Sequence, residues 1–580
     1  MGSSQSTEHP VQAAIDFGTT FTGYAFMFNG ENEVYTMEPK DREMTCVLLN
    51  HDGTFRAFGN EAFYAYNDMD LESQFNHFFF QQFKMTLYGD RLLRRNIPQL
   101  TDVSGKKMDA MQIFGLVLNE FKKRIVKHVN GSKVQKGATF DESNIGWTVT
   151  VPTIWSASAR QFMLESAANA GMNLQNIRLV LEPEAASVYV TSLDIKYERK
   201  GFKVEPFSPG QKYILADLGG GTVDMCVHEV LRGNYLSELY SATGRNAGGS
   251  MVNKAFAELL ERLFGTYVIE KYKEIFPTLY GDLMMNFEVR KCEFKTDSLG
   301  ATFNLSSELI SVYKDEYKYT DSELTTKLKE QSGSDITFIR QGGYRLKLTN
   351  SAMKSLFEHS VKGILELLSE IQKECAQDNI RILLLAGAYS ESDYVREQIK
   401  AAFPRFEIVT IPDSRLAVVK GAVLLGFKPR NTIKRRSRFT LGFYSVVPFN
   451  EELHPQELKE YHENLPQCRA VFHKLITKGQ AIEYGQVFQR KSITQYQQQD
   501  TKNKTRITSL WRSTHADPKF CTSDHGCEEV GSIEMNPPQG GWPDNLVHEQ
   551  QLVVGETELV LKFCNKTNEI DVEKRLEYSF

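Results

Sequence analysis

Two short stretches of this 580-residue chain carry the residue types that phosphate chemistry needs. In the first, Asp16 is followed by Gly18, Thr19 and Thr20; in the second, Asp217 is followed by Gly219, Gly220, Gly221 and Thr222. Glycines let the backbone approach a phosphate, threonines offer hydroxyls, and a carboxylate at each strand end can hold a magnesium ion that keeps several of its waters. A single turn of this kind is commonly just a hairpin. Two in register, roughly 200 residues apart, have a separation suited to two equivalent domains. A third turn, Ala386-Gly387-Ala388, follows the largely apolar run Ile380 to Leu385.

The elements that must hold these residues alternate between strand and helix patterns. Val11 to Asp16 and Phe21 to Phe28 read as strands around the first turn, and Tyr213 to Asp217 and Val223 to Val230 around the second. Between them Met111 to Val129 has helical spacing, Trp147 to Val151 is a strand stopped by Pro152, and Ala157 to Ala170 is a helix ended by Gly171. Ala352 to Cys375 is a long amphipathic helix leading to the strand Ile380 to Leu385. This alternation predicts an α/β architecture. The stretch 429–438 is basic and proline-interrupted and reads as an exposed linker, with Lys434, Arg435, Arg436 and Arg438 in it. Beyond it, Leu441 to Val447, Thr505 to Trp511 and Leu552 to Phe563 read as strands of a small β-rich domain, residues 439–580.

Composition narrows the function classes. Hydrophobic residues at 41% and charged residues at 24% are those of a soluble globular protein, and a formal charge of −5 gives no basic field for nucleic acid. Eight scattered cysteines do not form a disulfide scaffold, which fits a reducing, cytoplasmic location. Cys521, His525 and Cys527 match none of the usual zinc spacings and read as unrelated loop residues. No apolar run is long enough to span a membrane. Met1, Gly2 and Ser6 satisfy the acceptor pattern for myristoylation, a weak anchor without a second signal, within a polar tail read as disordered over residues 1–10.

Ala14 to Thr20 and Leu215 to Asp224 resemble the two phosphate motifs of the actin, sugar kinase and heat-shock-protein superfamily, and Leu383 to Ala388 resembles its adenosine motif. Val149 to Trp155 with Arg160-Gln161, Ala168 to Gly171, Leu181 to Ala186 and Leu416 to Val423 narrow the likeness to a divergent branch of the heat shock protein 70 family, over residues 11 to 428. The resemblance implies a two-lobed actin-like ATPase built from duplicated ribonuclease-H-like subdomains, with lobes at 11–190 and 191–428, that binds ATP or ADP with Mg2+. It implies that Asp16 and Asp217 hold magnesium through water and that Thr19, Thr20, Gly220, Gly221 and Thr222 cradle phosphates, beside Gly18 and Gly219. Glu182 would order the attacking water, Lys84 would lie near the γ-phosphate, and Pro152 with Arg160 would relay lobe closure. Glu288, Lys291, Gly387, Ala388 and Tyr389 would face the nucleoside.

The chain also departs from the family pattern. Ala388 and Tyr389 replace a glycine and a serine, and Cys292 stands where an arginine would stack on the base, a loss on the order of 1 kcal/mol. Lys434-Arg435-Arg436 replaces an apolar docking linker, and the C-terminal region is too short for a peptide-binding sandwich with a helical lid. The leading expectation is an ATP-binding, slowly hydrolysing, chaperone-like conformational switch acting on a protein client or signalling partner. A non-catalytic nucleotide-gated adapter is the alternative. A sugar kinase would need a polar sugar pocket with a general-base aspartate, for which the sequence offers no candidate.

Overall fold

The computed structural model describes residues 9–38, 42–88, 98–132, 139–193, 197–199, 202–204, 207–340, 342–428, 432–462, 465–496, 499–555, 558–566 and 570–577. The acylation pattern at Met1, Gly2 and Ser6 lies outside them, with the rest of 1–8 and with residues 429–431 of the basic stretch. The chain is mixed α/β and divides into two compact units, Met1–His228 with Ala242–Lys428, and Glu229–Ser241 with Pro429–Phe580.

In the first unit, Val11–Phe17 is buried along most of its length because it is a central strand, parallel to Ile145–Val151 and antiparallel to Phe21–Phe28. Pairing of Asp16 with Gly23 and of Phe17 with Thr22 leaves Gly18 to Thr20 at the turn. Ile177–Leu181 lies parallel outside Ile145–Val151, with Leu181 opposite Val151. Asp16 and Glu182 therefore finish at the same edge, the carboxyl ends of parallel strands, where open α/β sheets place ligands. A second sheet orders Glu407–Thr410, Ile382–Ala386, Lys212–Leu218 and Val223–Val230. Its register sets Asp217 opposite Ala386, so Gly387 follows directly beside the aspartate.

The helices Ala110–Gly131, Ala157–Asn169 and Asn350–Glu374 fall within a residue or two of their sequence patterns. The helix Glu182–Ser192 starts at the end of its strand, with Pro183 in the first turn, where proline's missing N–H costs nothing. Ala417–Phe427 packs against it at Gly421, where a Cβ would overlap the Ala185 carbonyl oxygen. No helix among the described residues is long and apolar enough to cross a membrane.

The second unit is mostly β. One sheet orders Lys459–His462, Leu465–Ile476, Thr440–Pro448, Arg506–Ser513 and Cys527–Met535; another orders Val487–Gln495, Asn545–Val554, Glu558–Asn565 and Ile570–Glu577. Leu441, Phe443 and Leu510 meet Leu546, Leu552, Leu561 and Phe563 in a shared core. The run Leu552 to Phe563, read as one strand, is two antiparallel strands with Val554 opposite Leu559; Gly555 interrupts it.

The basic stretch is also corrected. Ile433–Arg436 is a strand, parallel to Leu236–Ser237 on one side and antiparallel to Ala481–Ile482 on the other. Its cohesion comes from backbone pairing and one buried anchor, Ile433, while Lys434 reaches Glu483 at 3.1 Å on the surface. The charges need no burial, so a basic sequence does not prevent a strand here.

Candidate functional site

The residues expected to meet nucleotide and magnesium all line one cleft of about 500 Å³ in the first unit, a volume in the range of small-molecule sites. Gly18, Thr19 and Thr20 form one wall, and Gly219, Gly220, Gly221 and Thr222 form another. The second turn is closed by the Gly219 amide donating to the Thr222 carbonyl at 3.0 Å, and Ser250 and Gly249 amides donate back to Gly220 and Gly219 carbonyls at 2.7 and 3.1 Å. Side chains are excluded where the turns meet: a Cβ on Gly220 would strike Thr20 and one on Gly221 would strike Thr19.

At the floor, Lys84 Nζ donates to Glu182 Oε1 at 2.5 Å, with the side chains 2% and 9% exposed. Thr150 Oγ1 donates to Asp16 Oδ1 at 2.8 Å, and the Thr153 amide donates to Asp224 Oδ1 at 2.7 Å. Burial pushes the Glu182 carboxyl up to about 7 against the attraction of Lys84, and the charges of Asp224 and Asp16 add to the rise. Asp217 is raised well above its ordinary value, by burial first and then by Glu182, Asp224 and Asp16. Such a crowd of carboxylates has an unmet demand for positive charge. Among the described residues no three His, Cys, Asp or Glu side chains converge as direct metal ligands.

At the other end, Lys291 Nζ donates to Glu288 Oε2 at 2.6 Å, Asn253 Oδ1 at 2.9 Å and the Gly249 carbonyl at 3.1 Å. Gly387 adopts φ +78°, and a Cβ there would collide with Asp217 and the Leu218 backbone. Ala388 and Tyr389 follow in the wall; the Tyr389 hydroxyl shares a 3.0 Å hydrogen bond with Ser360, and its ring lies over Gly249. Cys292 lines this end too. Pro152 and Arg160 are not among the described lining residues; both are buried, Pro152 directly after the strand Ile145–Val151 and Arg160 in the helix Ala157–Asn169.

Several lining residues were not singled out from sequence: Arg42, Asn253, Glu391 and Arg415. Arg415 pairs with Glu391 in a bidentate contact through one guanidinium edge, Nε to Oε1 at 2.7 Å and Nη2 to Oε2. No local spacing marks any of the four, so only the tertiary arrangement reveals them.

An Hsp70 protein family model matches residues 74–325. Heat shock 70 kDa protein 12A of Mus musculus is 29% identical over 634 residues, covering 98% of this chain and 91% of that protein. Heat shock 70 kDa protein 12B of Homo sapiens is 29% identical over 600 residues, covering 93% and 85%. Chaperone protein DnaK of Endomicrobium trichonymphae is 23% identical over 335 residues, 56% of this chain and 45% of that protein.

Proposed function

Because this chain is a divergent member of the Hsp70 family, we propose that it is a slowly hydrolysing, ATP-binding conformational switch of chaperone-like type. The observation that carries this reading is the convergence of both aspartate-glycine-threonine turns on one cleft over the buried Lys84–Glu182 pair. In it, Thr19, Thr20, Gly219, Gly220, Gly221 and Thr222 cradle the phosphates of ATP or ADP. Asp16 and Asp217 hold magnesium through its water shell; when bound, the ion neutralises phosphate charge. Glu182 orders the attacking water, with Lys84 directing its charge toward the terminal phosphate. Glu288 and Lys291, with Gly387, Ala388 and Tyr389, bound the nucleoside. The sheets containing Val11–Phe17 and Lys212–Leu218 are read as two lobes that close on the nucleotide, and residues 439–580 as a β-rich domain whose binding surface responds to closure. A cytoplasmic location and a protein client belong to the same reading.

A titration of MgATP followed by phosphate release tests it. Asp217→Asn keeps the side chain's size and removes its charge, so release should fall at least tenfold in a folded protein. Unchanged release in that variant would remove the assignment. The second reading, a nucleotide-gated adapter without useful turnover, is favoured by the altered nucleoside end, where Cys292 and the Arg415–Glu391 pair sit. Nucleotide binding without phosphate release above background would select it.

A further inference from the structure

Four cationic side chains line the cleft among the described residues: Arg42, Lys84, Lys291 and Arg415. Three already hold a carboxylate: Lys84 holds Glu182 at 2.5 Å, Lys291 holds Glu288 at 2.6 Å, and Arg415 holds Glu391 at 2.7 Å. Arg42 has no ion pair among the described residues. Its Nη1 donates to the Arg415 carbonyl oxygen at 3.3 Å, and its guanidinium carbon lies 5.0 Å from the centre of the Phe21 ring. A guanidinium has five N–H donors in a planar fork, and among the described residues one is used. Withdrawal from water weakens its hold on its proton, and Asp16, Glu391 and Asp217 are the carboxylates whose fields act on it from beyond ion-pair distance.

The backbone beyond Arg42 is stapled to the first phosphate turn. Phe21 pairs with Met44, the Thr45 amide donates to the Thr20 carbonyl at 2.8 Å, and Thr45 Oγ1 donates to the Gly18 carbonyl at 2.8 Å. Arg42 is thereby fixed beside Gly18 to Phe21. One face of its guanidinium is covered by Phe21, which leaves the N–H edges as the free recognition surface. The free edges of an arginine suit phosphoryl oxygens, which they can take as a bidentate fork.

We infer that Arg42 is an oxyanion-binding arginine of this cleft that takes phosphoryl oxygens of the nucleotide tail, an assignment that rests on the nucleotide reading above. The competing role is a purely structural staple between the first turn and the Arg415 carbonyl. The two roles differ in what they do to ligands without phosphate.

Calorimetric titrations of the full chain with MgATP, tripolyphosphate and adenosine, for the wild type, Arg42→Ala and Arg42→Lys, separate them. Arg42→Ala should weaken MgATP about ten- to a hundredfold, the worth of a charged hydrogen-bonding group. Tripolyphosphate should weaken with it and adenosine should be unchanged. Arg42→Lys, which keeps the charge and loses the fork, should fall between. MgATP affinity within twofold of wild type in Arg42→Ala would overturn the assignment, as would an equal loss of adenosine. If the wild type itself binds neither MgATP nor adenosine, the nucleotide reading fails and this inference with it; wild-type binding with an indifferent Arg42→Ala overturns the inference alone. A thermal melt without ligand checks that Arg42→Ala is folded, and Arg42→Lys carries the same test if it is not.

Discussion

Lys84 and Glu182 form a buried ion pair 2.5 Å long, with the ammonium 5.4 Å from the centre of the Trp155 ring. Their two removals should be unequal. Glu182→Gln leaves Lys84 charged and buried, and breaking a buried pair in this way costs about 3–5 kcal/mol. Lys84→Met leaves a carboxyl already pushed up to about 7, which can take a proton, so its cost should be smaller, about 2 kcal/mol. Denaturant unfolding of both variants measures the difference. In single-turnover assays Glu182→Gln should slow phosphate release about a hundredfold or more.

Gly421 reports on the frame beneath that pair. An alanine there drives its Cβ into the Ala185 carbonyl oxygen, backbone against side chain, and Ala185 lies one turn beyond Glu182 in the same helix. Gly421→Ala should cost about 1–3 kcal/mol and lower phosphate release together, because the helix must shift. A melt unchanged from wild type would show that the two helices can part without loss.

His548 gives the second unit a pH dependence. It is 3% exposed, and its ring stacks on Phe563 at 4.9 Å. Burial, helped by the charges of Arg506 and Arg490 and opposed by the Leu546 backbone, lowers its pKa from 6.5 to about 4. The unfolded chain therefore binds this proton more readily than the folded one. The stabilising contribution is complete above pH 6.5 and is lost as pH falls from there toward 4. His548→Phe should remove that slope, read from unfolding curves at pH 7, 6, 5 and 4.

Ile433–Arg436 should be slow to exchange. The Arg436 amide donates to Glu238 Oε2 at 3.0 Å, and the strand has partners on both sides. Hydrogen exchange should show protection over 434–436 with and without ATP, where an open linker would exchange within seconds. Rapid exchange without nucleotide would restore the open-linker reading.

Much of this was legible in the residues. Val11–Phe17 and Lys212–Leu218 announce themselves as covered strands, and the aspartates and glycines at their ends have a spacing that repeats. Val487–Gln495 did not, because it alternates exposed and half-buried positions and carries Gln489, Arg490 and Lys491 in mid-strand. Arg42 and Arg415 were hidden for a different reason. Each reaches the cleft through long-range geometry, the Phe21 to Met44 pairing for one and the Glu391 contact for the other, and no local spacing encodes such a meeting.

The pairing of Leu236–Ser237 with Ile433–Lys434 joins segments far apart in the chain. Translation proceeds at about 5–20 residues per second, so the earlier segment leaves the ribosome roughly 10–40 s before its partner is made. Throughout that interval it offers an unpaired edge, a template for association with other chains. A fragment ending at Lys428 would keep that edge open permanently. Soluble yield should therefore depend on carrying synthesis through Arg436, with nascent-chain binding factors needed most in that window.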